Sequence, residues 1–168
     1  KRIPCFRGAY HVPALVRWPA GIVRPGRSSD AFVSLADFAP TFTELAGKTP
    51  APDLTGRSLT PFFADQSPAD WRDDIQTQCN GVELYYTQRS VMTRSYKYVF
   101  NGFDRDELYD LRIDPDEMTN RADDPAYGSI KRDLCARLWR FARRQNDSAI
   151  NAYITVGLAP FGPAVGMS

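Results

Sequence analysis

A chain of 168 residues with 43% apolar and 24% charged side chains is one domain's worth of polypeptide. Such a chain can bury about two thirds of the surface that its unfolded form exposes. Its 21 basic residues against 20 acidic ones exclude the global positive charge that draws a protein to nucleic acid or an acidic membrane. No apolar run approaches the roughly 18 residues of a membrane-spanning helix.

In chain order, Ala14-Leu-Val-Arg17 is a short β-prone run closed by Trp18-Pro19, because proline cannot donate to a sheet ladder. Residues 20–29, with Gly21, Pro25 and Gly26, read as a surface turn. A helix is predicted next, since Leu35, Phe38, Phe42 and Leu45 fall on one face. Ser34 or Asp37 can cap its start, Pro40 is tolerated in its first turn, and Gly47 ends it. Residues 48–70 carry Pro50, Pro52, Pro61 and Pro68 and cross the surface without long regular structure, apart from a turn at 59–63. That stretch is the expected boundary between a first region, 1–70, and a second, 71–168.

Beyond it, residues 75–78, 90–93, 96–100 and 107–111 read as short strands, with a turn signal at Asn101-Gly102. They predict an antiparallel meander. A helix over 129–144 follows, with Ile130, Leu134, Leu138 and Phe141 on one face. Its remaining surface is basic, through Lys131, Arg132, Arg137, Arg140, Arg143 and Arg144. The stretch 104–124 just before it holds nine acidic and three basic residues, so the two charge excesses are expected to compensate each other. The apolar tail after Asn151, punctuated by Gly157, Pro160, Gly162 and Pro163, is expected to pack as an irregular strap. The fold class is α+β.

Cys5, Cys79 and Cys135 are odd in number and far apart, with no Cys-x-x-Cys pair. Buried free thiols fit this spacing better than a disulfide framework or a zinc site. Asp114-Pro-Asp-Glu117 lacks the central glycine and distal glutamate of a calcium loop, and is expected to be a turn. Asn146-Asp-Ser148 fits the glycosylation pattern, a frequent chance match.

Several segments carry a resemblance. Lys1 is followed by Phe6, Tyr10 and Val12-Pro13, leading into the first β-prone run. Ser34 to Gly47 contains Asp37-x-x-Pro-Thr41 before Leu45-Ala-Gly47, and Gly56-Arg-Ser-Leu59 comes soon after. Tyr96-Lys-Tyr-Val99 and Glu107-Leu-Tyr-Asp-Leu111 precede Asp114-Pro115, Glu117 and Asn120. In this order the motifs resemble the C-terminal portion of the sulfatase family, whose fold is alkaline-phosphatase-like. The resemblance implies that 1–70 is the last strand and helix of the catalytic domain plus a connector. It implies that 71–168 is a small antiparallel-sheet subdomain packed by a C-terminal helix and tail.

The implied activity is hydrolysis of a sulfate monoester, with a small-molecule or sugar sulfate ester as partner. In that family the lysine at the place of Lys1 touches the sulfate, where a compact ammonium stabilises the charge that grows as the ester bond breaks. The family's nucleophile is a hydrated formylglycine made within Cys/Ser-x-Pro-x-Arg, and no such motif occurs here. Its calcium ligands also belong to segments this chain does not hold. The chain is therefore expected to lack its N-terminal catalytic region and to be inactive by itself.

Arg7 and His11 stand where the family often has an acidic residue and an arginine, so His11 is either a substrate contact or a structural histidine. Asn80, Glu83 and Tyr85 lie in a polar, aromatic connection that in sulfatases can lean over the substrate. They suit hydrogen bonding to a sugar or a choline-like group, or simple packing between strands. Two alternatives stay open: a phosphate mono- or diester hydrolase of the same superfamily, and a non-enzymatic module binding sulfated glycan through the basic helix.

Overall fold

The computed structural model describes residues 5–80, 87–102, 104–158 and 160–167. Its elements run α1 (Arg7–Tyr10), α2 (Phe38–Leu45), α3 (Thr60–Phe63), β1 (Asp74–Cys79), β2 (Gln88–Thr93), β3 (Tyr96–Asn101), β4 (Glu107–Asp110), α4 (Gly128–Arg144) and α5 (Ala152–Gly157). They divide into two compact units, one of Pro13–Ile75 and one of Lys1–Val12 with Gln76–Ser168.

The second unit is built on a four-stranded sheet in the order β1-β2-β3-β4. Each predicted strand is present, its ends within two residues of expectation. The β2–β3 and β3–β4 pairs are antiparallel, with Val91 opposite Tyr98 and Tyr98 opposite Leu108. Successive side chains alternate between faces, so these three residues and Phe100 share one face. Against that face α4 sets Leu134, Cys135, Leu138, Trp139 and Ala142, all buried. Phe100 and Trp139 meet edge-on, with ring centroids 4.9 Å apart. Arg89, on the same face, forms a buried bidentate pair with Asp147 beyond the end of α4, at 2.5 and 2.7 Å. Such a pair fixes the exit from the helix onto β2.

The tail packs as expected, though not irregularly: it forms α5 and a 3-10 turn at Pro163–Met167. Trp139 Nε1 donates to Phe161 O at 2.9 Å, and Arg143 donates to Pro163 O. The charge compensation expected of α4 takes a different form. Asp110 pairs with Arg112, Glu117 with Lys97 and Asp124 with Arg121, so these acids are answered from their own stretch or from β3. Local pairing wins because side chains two or three residues apart meet without ordering long stems across a gap.

The unit of Pro13–Ile75 departs from the sequence reading in two ways. Residues 14–17 form no strand, and Leu15 is 91% exposed. A strand needs a partner to hydrogen-bond, and among the described residues none stands beside it. The predicted helix opens as a 3-10 turn at Leu35–Asp37 and continues as α2, but its apolar face looks outward. Leu35 is 72% and Phe42 66% exposed, whereas Asp37 and Thr41 are buried.

The polar face is buried because it binds a loop. Thr41 Oγ1 donates to Asp37 O and accepts from Leu59 N, while Asp37 accepts from Arg57 N at 2.8 Å. Gly56 lies so close that a Cβ there would meet Ala36 O at 1.9 Å, leaving room only for glycine. The start of the helix is capped by both expected residues, Ser34 through its hydroxyl and Asp37 back onto Ser34 N at 2.7 Å. Gly47, at φ +71, closes the end, and Lys48 N donates to Thr43 O.

Candidate functional site

The face of the sheet away from α4 is polar and still buried. Thr77 on β1 and Ser90 on β2 share a 2.6 Å hydrogen bond, with Lys97 and Tyr109 beside them on β3 and β4. Residues 5–7 lie on this face. Cys5 is 4% exposed and lies beside Thr77, Ser90, Lys97 and Cys79. Burial pushes its thiol up, so Cys5 keeps its proton and is no nucleophile. Cys135 is pushed up further, to about 12, by its place in the core.

Lys97 and Glu117 form the charged centre of this face. Lys97 Nζ donates to Glu117 Oε2 at 2.7 Å, with side chains 3% and 2% exposed. The same oxygen accepts from the backbone N–H of Arg7 at 3.2 Å, the first residue of α1. Lys97 also stands 5.7 Å from the Phe6 ring centroid and 6.0 Å from that of Tyr109. Glu117 Oε1 is buried without a hydrogen-bond partner among the described residues.

Glu117 reaches the sheet from the turn predicted at 114–117. Asp114 caps that turn by accepting from Met118 N and Thr119 N at 3.0 and 2.8 Å. Glu117 itself adopts φ +58, a left-handed conformation a residue with a Cβ rarely takes. Sequence reasoning missed this residue and its partner. The available signal was Lys97, a lysine alternating with Tyr96 and Tyr98 in a strand that otherwise reads as buried.

Of the residues singled out from the sequence, His11 is exposed just after α1, and its Nδ1 accepts from Arg7 Nε at 3.3 Å. Asn80 is exposed at the end of β1, one residue after Cys79, where the connection to β2 begins. Lys1, Glu83 and Tyr85 lie outside the described residues.

The carboxylates that are buried do not suit a hard cation, since each is already committed to a protein cation. Asp37 holds Arg72, Asp110 holds Arg112, Glu117 holds Lys97 and Asp147 holds Arg89. Calcium asks for six or more oxygens. Among the described residues no group of three or more His, Cys, Asp or Glu is arranged to hold a metal ion. Among them, too, no helix is long and apolar enough to cross a membrane.

Residues 1–144 match the family described as N-sulphoglucosamine sulphohydrolase, C-terminal. An N-acetylglucosamine-6-O-sulfatase of Bacteroides thetaiotaomicron is 29% identical over 153 residues, covering 85% of this chain and 27% of that protein. The solved structure of BT4656 with its substrate D-glucosamine-2-N,6-O-disulfate superposes with a TM-score of 0.71 at 29% identity, over 79% of this chain and 28% of the other. A phosphonate monoester hydrolase of Agrobacterium radiobacter gives a TM-score of 0.61 at 27% identity, over 71% of this chain and 27% of the other. The chain thus spans less than a third of the length of these relatives.

Proposed function

The chain belongs to the sulfatase family, within the alkaline-phosphatase-like superfamily, as its C-terminal portion, and from this premise we propose that the full-length protein hydrolyses a sulfate monoester with Lys1 at the sulfate. The observation that carries the reading is the family match across 1–144, which includes Lys1 and every motif that follows it. A lysine ammonium held at a sulfate oxygen stabilises the charge that develops as the ester bond breaks.

The substrate we favour is a sugar sulfate ester, by likeness to BT4656, whose structure holds a disulfated glucosamine. Asn80, Glu83 and Tyr85 belong to the connection that opens at the end of β1, and their hydroxyl, amide and carboxyl groups suit the organic part of such a substrate. His11 is a second polar contact at the other end of the N-terminal segment. The nucleophile and the calcium ligands of the family are supplied, on this reading, by the two thirds and more of the relatives' length that this chain does not span. This portion alone is inactive.

A second reading, hydrolysis of a phosphate mono- or diester, is favoured by the likeness to the phosphonate monoester hydrolase. Steady-state kinetics of the full-length protein on glucosamine 6-sulfate and on a phenyl phosphonate ester separate the two. A larger kcat/KM for the sulfate is expected, and a larger value for the phosphonate reverses the assignment.

A further inference from the structure

We propose that Lys97 and Glu117 are positioning residues for Lys1, a role that rests on the function proposed above and assigns them no contact with substrate. Glu117 combines three features that a fold alone would avoid. Its charge is buried, its backbone sits at φ +58, and one carboxylate oxygen has no partner among the described residues. A buried ion pair is weak support for stability, since apolar residues of similar volume often serve as well or better. Unusual backbone conformations persist where the surroundings enforce them, often at functional sites.

What the pair holds is the N-terminal segment. Glu117 Oε2 takes the Arg7 N–H, Lys97 faces the Phe6 ring, and the buried Cys5 lies beside Thr77 and Ser90 on the same sheet face. Three consecutive residues are thereby held, Cys5 beside β1 and β2, Phe6 beside β3 and Arg7 by the turn that carries Glu117, and Lys1 lies four residues before the first of them. A displacement of about 1 Å in a group that meets the reacting atoms can cost about 100-fold in rate. An anchor on the sheet restrains such displacement without touching the sulfate.

The test uses the full-length protein with the double substitution Lys97→Met and Glu117→Leu, which removes the acceptor for Arg7 N–H without leaving a lone buried charge. Thermal unfolding, kcat and KM on glucosamine 6-sulfate are measured in the Lys1 and Lys1→Ala backgrounds. The expected result is a Tm close to the parent, a kcat at least tenfold lower in the Lys1 background, and less than twofold further loss once Lys1 is alanine. Unchanged kcat, or equal loss in both backgrounds, overturns the proposal. Should the double variant not fold, amide exchange in the unmodified protein decides: Arg7 N–H protected like the β3 amides supports the anchor, and rapid exchange overturns it. If the parent turns over no sulfate ester, or Lys1→Ala is without effect, the proposed function fails instead, and Arg7 protection still reports on the anchor.

Discussion

Asp37 is wholly buried, and Arg72 closes on it with two hydrogen bonds of 2.6 and 2.9 Å. The same carboxylate accepts from Ser34 N and Arg57 N, so one side chain ties the start of α2, the 56–59 loop and the residues just before β1. Trp71 sits beside this knot, with the guanidinium groups of Arg57 and Arg72 4.8 and 4.9 Å from its ring. The Asp-x-x-Pro-Thr and Gly-x-Ser-Leu motifs thus meet as partners in a structural joint.

Replacing Asp37 by Ala leaves Arg72 uncompensated and two backbone donors unsatisfied. A destabilisation of about 3–5 kcal/mol is expected, the range for breaking one side of a buried pair. Urea unfolding followed by Trp71 fluorescence measures it. Thr41→Val, which keeps the shape but loses the acceptor for Leu59 N, is expected to cost about 1–3 kcal/mol.

Gly56→Ala tests the close approach of the loop to the helix. An alanine Cβ at this position would stand only 1.9 Å from Ala36 O, so the backbone must shift, and a loss of about 1–3 kcal/mol is expected by the same unfolding measurement. Gly128→Ala, where a Cβ meets nothing within 4 Å, is the control and is expected to be neutral or slightly stabilising.

Acid should weaken the sheet unit in a defined way. Two hydrogen bonds from the Arg112 guanidinium hold Asp110 down, from 3.8 to about 2, and Arg89 holds Asp147 down as well. A carboxyl depressed in the folded state contributes stability that is complete above its unfolded value and fades as pH falls toward the folded one. Tm is therefore expected to drop between about pH 4 and pH 2. Asp110→Asn is expected to be less stable than the parent at pH 7 and to show a shallower drop on acidification. Parallel curves for the two proteins would contradict this.

The outward apolar face of α2 should make the isolated chain self-associate. Leu35 and Phe42 are 72% and 66% exposed, the Phe38 and Phe42 rings stand 6.0 Å apart, and Leu15, ahead of the helix, is 91% exposed. Light scattering after gel filtration is expected to show concentration-dependent mass, and Leu15→Ser with Phe42→Ser to raise the monomer fraction. A monodisperse parent chain would contradict it.

Where side chains alternate in or out of a core, the sequence was readable. Val91, Tyr98, Phe100 and Leu108 marked the strands of the sheet, and Leu134 and Leu138 marked the helix that covers it. Periodicity misled at α2, because it identifies an apolar face but not whether anything lies against it, and Leu35 and Phe42 face outward. It was silent on Lys97 and Glu117, whose meeting depends on a turn reversing the chain at 114–117 and on a left-handed residue within it. Of the candidate site, His11 and Asn80 stand exposed just after α1 and β1, whereas the polar sheet face that holds Cys5 to Arg7 is made by residues distant in sequence, which no local pattern marks.

The most direct measurement is the kcat of full-length protein carrying Lys1→Ala on glucosamine 6-sulfate, beside the unmodified protein. Loss of one group stabilising developing charge removes about 100- to 1,000-fold, and a fall of that size in kcat is expected. Turnover unchanged by Lys1→Ala would contradict the account.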